Sequence, residues 1–169
     1  WHGADVGAGT HEDYASPAEA MHFHRYRHDT GRFISEFGIH ASADFPPLER
    51  WLGRDHLKLD DPVLIARNKD TPKAKGMALL EYEVGRPTSL QSYVTSTQVV
   101  QAEGLKYGIE HYRRRWPHCA GTLVWQLNEP WPGMTWSLLD HDLWAKPGYY
   151  AAARAFAPAL PILRLTDEA

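Results

Sequence analysis

The chain of 169 residues holds a single cysteine, Cys119. One thiol closes no internal disulfide framework and supplies no multi-cysteine zinc site. At the entrance to an apolar stretch, it is expected as a small buried filler. Long apolar runs are missing as well: nowhere do 18 consecutive apolar residues occur, so no segment reads as a membrane-spanning helix. The opening residues, WHGADVGAGTHEDY, lack the basic and apolar blocks of a signal peptide. A cytoplasmic location is favoured on that ground, although the start of the chain reads as the middle of a domain. Charge of one sign is scarce too. The formal net charge is −3, from 18 basic and 21 acidic residues, and the basic ones are spread out. Nucleic acid, which needs a clustered basic face, is not an expected partner. With 43% hydrophobic and 23% charged residues, disordered and fibrous classes are excluded, and the length suits one ordinary domain.

Aromatic residues, by contrast, are abundant. Seven Trp and eight Tyr bring the aromatic fraction to 12%. Several stand beside Gly, Pro, Asn and acidic residues rather than inside apolar runs. Flat rings next to carboxylates and amides suit a site that stacks on the C–H face of a sugar while hydrogen-bonding its hydroxyls. An aromatic-rich core would have the same composition, and composition alone leaves both readings open.

Along the chain, residues 1 to 16 read as loop. Ser16-Pro17 opens a helix with Ser as N-cap, Pro at its first position and Glu19 completing a capping box. That helix is expected to run through Phe23, His24 and Arg27 and to stop before Gly31. Arg32 to Gly38 (RFISEFG) is short, apolar and bounded by glycines, as a buried parallel strand is. A short helix is expected over 46–53, a surface excursion over 54–72, and a modest helix from Lys73 to about Glu83. From Thr88 to about Trp116, Leu90, Tyr93, Val94, Thr97, Val100, Gln101, Leu105, Ile109 and Tyr112 recur at helical spacing. Arg113-Arg114-Arg115 then complements the helix dipole. Gly121 to Leu127 is a second buried-type strand, followed by the polar and aromatic loop Asn128 to Gly133. A last helix spans Lys146 to about Phe156. Pro158 and Pro161 mark a domain exit, with Ile162 to Leu165 as a strand of a following β domain over 159–169. Strands alternating with helices predict a parallel α/β sheet. Two strands cannot bury both faces of one. The expected fold is therefore α/β, a portion of a larger barrel or doubly wound domain.

Two strand ends carry the chemistry. Glu36 closes the first strand and Glu129 follows the second by two residues. The C-terminal strand ends of parallel barrels form the active face, and glycoside hydrolysis uses two carboxylates flanking the scissile bond. Glu36 and Glu129 offer such a pair, with Trp125 and Trp131 as stacking walls. An ion pair with Arg32, for Glu36, and a plain loop carboxylate, for Glu129, are the structural alternatives. Among the histidines, His24 and His28 are four apart, with His22 nearby. No acidic residue completes an HExxH motif, and His22 would face away from His24 on a helix. No metal and no cofactor are expected.

These same residues carry a resemblance. RFISEFG at 32–38, CAGTLVWQLNEPWP at 119–132, Thr135-Trp136-Ser137, and KPGYY at 146–150 resemble the C-terminal part of the catalytic barrel of glycoside hydrolase family 2, β-mannosidase-like. The similarity covers roughly residues 1 to 158. It implies a partial (β/α)8 TIM barrel holding the last strands and helices, incomplete alone and needing the N-terminal part of the barrel. It further implies a retaining exo-β-mannosidase acting on terminal β-D-mannose, with Glu36 as nucleophile and Trp125 beneath the sugar. Trp1, Tyr14, Asn128, Glu129 and Trp131 fall at substrate-binding positions. Where the family has Asp after WQLN, this chain has Glu129, one methylene longer. The family's acid/base Glu follows an Asn on an earlier strand, which would lie before residue 1; Asn128-Glu129 imitates that pair on a different strand. The resemblance extends to β-galactosidases and β-glucuronidases of the same family. A carbohydrate-binding or purely structural fragment is the reading from another class.

Overall fold

The computed structural model describes residues 22–69 and 75–163. In chain order it contains a 3-10 helix Phe23–His28, β1 Ile34–Phe37, α1 Phe45–Leu52, a 3-10 turn Arg54–His56, α2 Pro62–Ala66, α3 Lys75–Glu83, α4 Leu90–Arg114, β2 Thr122–Val124 and α5 Pro147–Ala155. The two strands pair in parallel, Ile34 opposite Thr122 and Phe37 opposite Val124, with an irregularity between. Parallel neighbours need a long crossover, and residues 38–121, α1 to α4 included, supply it. No described helix is long and apolar enough to cross a membrane.

The long helix begins on Ser89, whose side chain accepts from the Ser92 amide while Ser92 Oγ accepts from the Ser89 amide. Its apolar face buries Leu90, Tyr93, Val94, Val100, Leu105, Ile109 and Tyr112, as the spacing predicts. The same face carries two glycines four residues apart. A Cβ on Gly104 would overlap the Ile39 side chain, and one on Gly108 would stand 2.7 Å from the Phe37 ring. Helix and strand therefore touch backbone to side chain. Phe37 packs edge-on against Tyr26 and Tyr112, each with ring centroids 5.3 Å away, and the Tyr26 hydroxyl donates to the Gly38 carbonyl at 3.4 Å. Burial pushes both tyrosine phenols well up.

Several sequence expectations change. The predicted helix opening at Ser16-Pro17, with Glu19, lies outside the described residues. Its later part, Phe23–His28, is a 3-10 helix with His22 as N-cap rather than an α-helix. Two arginines, two histidines and no acidic residue occupy this short stretch, which is a poor α-helical start. The strands are shorter than predicted, because chain outside Ile34–Phe37 and Thr122–Val124 leaves the ladder for loops. The 54–72 excursion is partly docked: Leu64 on α2 is buried, and Leu57 and Leu59 pack against the core. Arg113 and Arg115 do more than complement a dipole. Arg113 Nη1 donates to the Ala157 carbonyl at 2.7 Å, and Arg115 Nη1 to the carbonyls of Asp29 and Gly31 at 3.0 and 3.1 Å. Residues 161–163 are in no strand and Leu163 is exposed, while 164–169, with the rest of the expected strand, lie outside the described residues. Cys119 is buried, as expected.

Candidate active site

Glu36 is exposed near the C-terminal end of β1, one residue before the buried Phe37. The Phe37 carbonyl accepts from the Trp125 amide at 2.8 Å, which brings the residue after β2 alongside Glu36's strand end. Trp125 is 44% exposed, and the peptide bond joining it to Gln126 is cis. Glu36 and Trp125 thus share one end of a parallel strand pair.

Beyond that point the two chains leave the ladder and remain stitched together. The Ala41 amide donates to the Thr135 carbonyl at 2.9 Å, and the Gln126 amide to the Trp136 carbonyl at 3.3 Å. Two buried polar side chains hold these segments from behind. Gln101, on the inner face of α4, places its Nε2 within 2.8, 3.3 and 3.2 Å of the carbonyls of Ile39, Trp136 and Ser137. Lys146, at the N-cap position of α5, donates through Nζ to the Ala41 carbonyl at 2.9 Å and lies 3.4 Å from that of Thr135. Buried carbonyls without donors would be costly, so these groups keep an irregular backbone dry. His40 adds a third brace, its Nε2 lying 3.1 Å from the Met134 carbonyl and its ring edge-on to Trp136.

Electrostatically the support layer is unusual. Burial draws the Lys146 ammonium down to about 7, opposed by the nearby Asp140 and Glu129 carboxylates. Burial pushes the Asp140 carboxyl up, although the Trp144 and Asp142 amides donate to it. Burial, aided by Lys146, lowers His40 to about 4. That ring is neutral at physiological pH.

The other expected site residues divide. Glu129 is only 4% exposed and has local partners: Gln126 Nε2 donates to its Oε2 at 3.1 Å and the Trp131 amide to its Oε1 at 3.3 Å. It braces the loop after β2. Asn128 is exposed on that loop. So is Trp131, with the Arg67 guanidinium 5.0 Å above its ring. Trp1 and Tyr14 lie outside the described residues. Gln101, His40 and Lys146 were missed as site-supporting groups. An amide in the apolar stripe of α4 was the one available signal, because buried polar groups are there for their hydrogen bonds.

On and around the two strands, Phe33, Leu123, Trp125 and Leu127 are large, apolar and exposed. No protein-family model matches the chain. Individual proteins do. "Beta-mannosidase B" of Aspergillus niger is 38% identical over 133 residues, 76% of this chain and 16% of that protein. The crystal structure of a β-D-mannosidase from Dictyoglomus thermophilum superposes with a TM-score of 0.73 at 32% identity, covering 80% of this chain and 17% of that one. This chain belongs with the β-mannosidase-like proteins of glycoside hydrolase family 2. It spans 16% of the length of these curated β-mannosidase relatives. An exo-chitosanase of Amycolatopsis orientalis matches with a TM-score of 0.66 at 20% identity, a likeness of fold alone. The α/β arrangement with its small parallel sheet is thus that of a segment of the β-mannosidase-like fold.

Proposed function

We propose that these residues belong to the catalytic barrel of a retaining exo-β-mannosidase and supply its nucleophile, Glu36. The observation that carries this reading is the exposed carboxylate at the C-terminal end of a parallel strand, joined to Trp125 through the Trp125 amide and the Phe37 carbonyl. Such strand ends form the reacting face of (β/α)8 barrels, and β1 and β2 are adjacent strands of one. Glu36 attacks the anomeric carbon of a terminal β-mannose and expels the aglycone, forming a glycosyl-enzyme ester. Water then cleaves the ester, with net retention at the anomeric centre. Trp125 stacks beneath the sugar, while Asn128, Trp131, Trp1 and Tyr14 line the pocket.

The acid/base carboxyl is contributed from outside residues 1–169. Burial of Glu129 and its bonds to Gln126 and the Trp131 amide support this assignment, since a general acid must reach the leaving oxygen. In a retaining enzyme the two carboxyl groups stand about 5–5.5 Å apart, and the partner of Glu36 comes from the N-terminal part of the barrel. The remaining barrel strands also cover Phe33, Leu123 and Leu127. A panel of aryl β-mannoside, β-galactoside and β-glucuronide tests the sugar; the mannoside is expected to turn over fastest. Treating the full-length enzyme with a 2-fluoro-mannosyl fluoride is expected to leave one fluoromannosyl adduct, mapped by mass spectrometry to the peptide holding Glu36. Glu36→Gln in the full-length enzyme is expected to abolish turnover with folding intact. Near-normal turnover, or a label on another carboxylate, overturns the assignment.

A further inference from the structure

Away from this site, three metal-ligating side chains that sequence spacing separates come together. His22, His24 and Glu83 place one ligand atom each within 4.8 Å of one another. His22 Nδ1 lies 3.2 Å from His24 Nδ1 and 3.3 Å from Glu83 Oε1. Two imidazole nitrogens at that separation share a proton or an ion. On an α-helix, residues two apart face different ways. Here His22 precedes the 3-10 helix in an extended conformation, φ −65° and ψ 135°, and its ring folds back over His24. The expectation that the two rings point apart fails for that reason, and Glu83, sixty residues on, is the acidic group the local sequence lacks.

We infer that His22, His24 and Glu83 form a divalent transition-metal site of the zinc class that clips the segment leading into β1 onto the end of α3. Zinc holds imidazole nitrogens and carboxylate oxygens at about 2.0–2.2 Å in tetrahedral geometry, which sets neighbouring ligand atoms about 3.3–3.5 Å apart. The His22–His24 and His22–Glu83 separations, 3.2 and 3.3 Å, are close to the edge length of such a tetrahedron. Two nitrogens and one oxygen favour zinc and its neighbours over calcium or magnesium, which take oxygen cages. The ligands are held in advance. Tyr82 stacks on the His22 ring at 4.5 Å, Tyr107 meets the His24 ring edge-on at 4.8 Å, and the Phe23 amide donates to Glu83 Oε1 at 3.1 Å. Side-chain exposures of 14% for His22 and 10% for Glu83 leave these two ligands shielded from solvent. Ligation replaces the contacts of His22 Nδ1 with the His24 amide and His24 Nδ1, each at 3.2 Å, and with Glu83 Oε1 at 3.3 Å. His28, in the same 3-10 helix, stands outside the cluster, its Nε2 accepting from Arg27 Nε.

The test uses the full-length protein stripped with chelator, titrated with Zn2+ by calorimetry and with Co2+ by visible absorption. One equivalent of Zn2+ is expected to bind, raising the melting temperature reversibly with chelator, since a ligand of the folded state alone stabilises it. Co2+ is expected to give the intense d–d bands of tetrahedral coordination. Loss of an outer-shell partner costs a metal site about 10–100-fold in affinity, so His24→Asn and Glu83→Gln are each expected to weaken binding by about 100-fold or more. Glu83→Gln keeps an oxygen for the Phe23 amide and so keeps the fold, and His28→Asn binds as the parent does. Absence of a stoichiometric Zn2+ isotherm and of tetrahedral Co2+ bands overturns the inference. So does a Glu83→Gln protein that binds as tightly as the parent, or equal loss in His28→Asn.

Discussion

His40 shows how much one side chain behind the site can decide. Its neutral ring bridges the segment after β1 to the Met134 carbonyl, and burial with Lys146 nearby keeps its folded pKa near 4 against an ordinary 6.5. The unfolded chain takes up a proton that the folded one refuses between those values. The stabilisation is therefore complete above pH 6.5 and lost as pH falls towards 4, about 3 kcal/mol in all. Urea midpoints at pH 7 and 4.5 are expected to differ by less in His40→Gln than in the parent; equal differences refute the account. Gln101 works through hydrogen bonds alone. Gln101→Leu strips donors from buried carbonyls after both strands. Chemical denaturation is expected to show a loss of about 1–3 kcal/mol. The exposed strand-end position of Glu36 was legible in the sequence because a carboxylate ending an apolar strand is out of place for packing. His40 and Lys146 were not, because nothing local says which carbonyls they will meet.

At the scale of elements, the contact of α4 with β1 sets where Glu36 stands. Gly108 lies against Phe37, the residue after Glu36, and a methyl group there would sit 2.7 Å from the ring. Gly108→Ala, which would favour an isolated helix, is expected to cost about 1–3 kcal/mol through overpacking. A thermal melt at or above the parent's melting temperature would show that the helix yields without cost. The extent of α4 was legible from its periodicity to within two residues at either end, since an amphipathic stripe of that length has no competing reading. Short strands were the opposite case: β2 keeps three residues of the predicted seven. The segment that follows is drawn off by backbone bonds to Trp136, Leu138 and Leu139, partners that the strand pattern does not reveal.

For the molecule as a whole, the two-stranded sheet cannot cover itself. Phe33, Leu123, Trp125 and Leu127 are left large, apolar and exposed around it, and exposed apolar surface of that kind drives association. The isolated 169-residue chain is expected to sediment as species larger than a monomer and to hydrolyse an aryl β-mannoside negligibly. A monodisperse monomer with enzyme-like turnover would show that one half-site suffices.

Composition, periodicity and the strand-end carboxylate, taken with no coordinates, determined an α/β chain with a carboxylate at a strand end, because those signals are local and survive in one dimension. Tertiary structure alone decided that Glu129 is a loop brace and that Gln101, His40 and Lys146 hold the site segments together. It alone brought Glu83 across sixty residues to His22 and His24. Each of those facts depends on which distant backbone or side chain closes a hydrogen bond once water is excluded, and sequence separation carries no record of that.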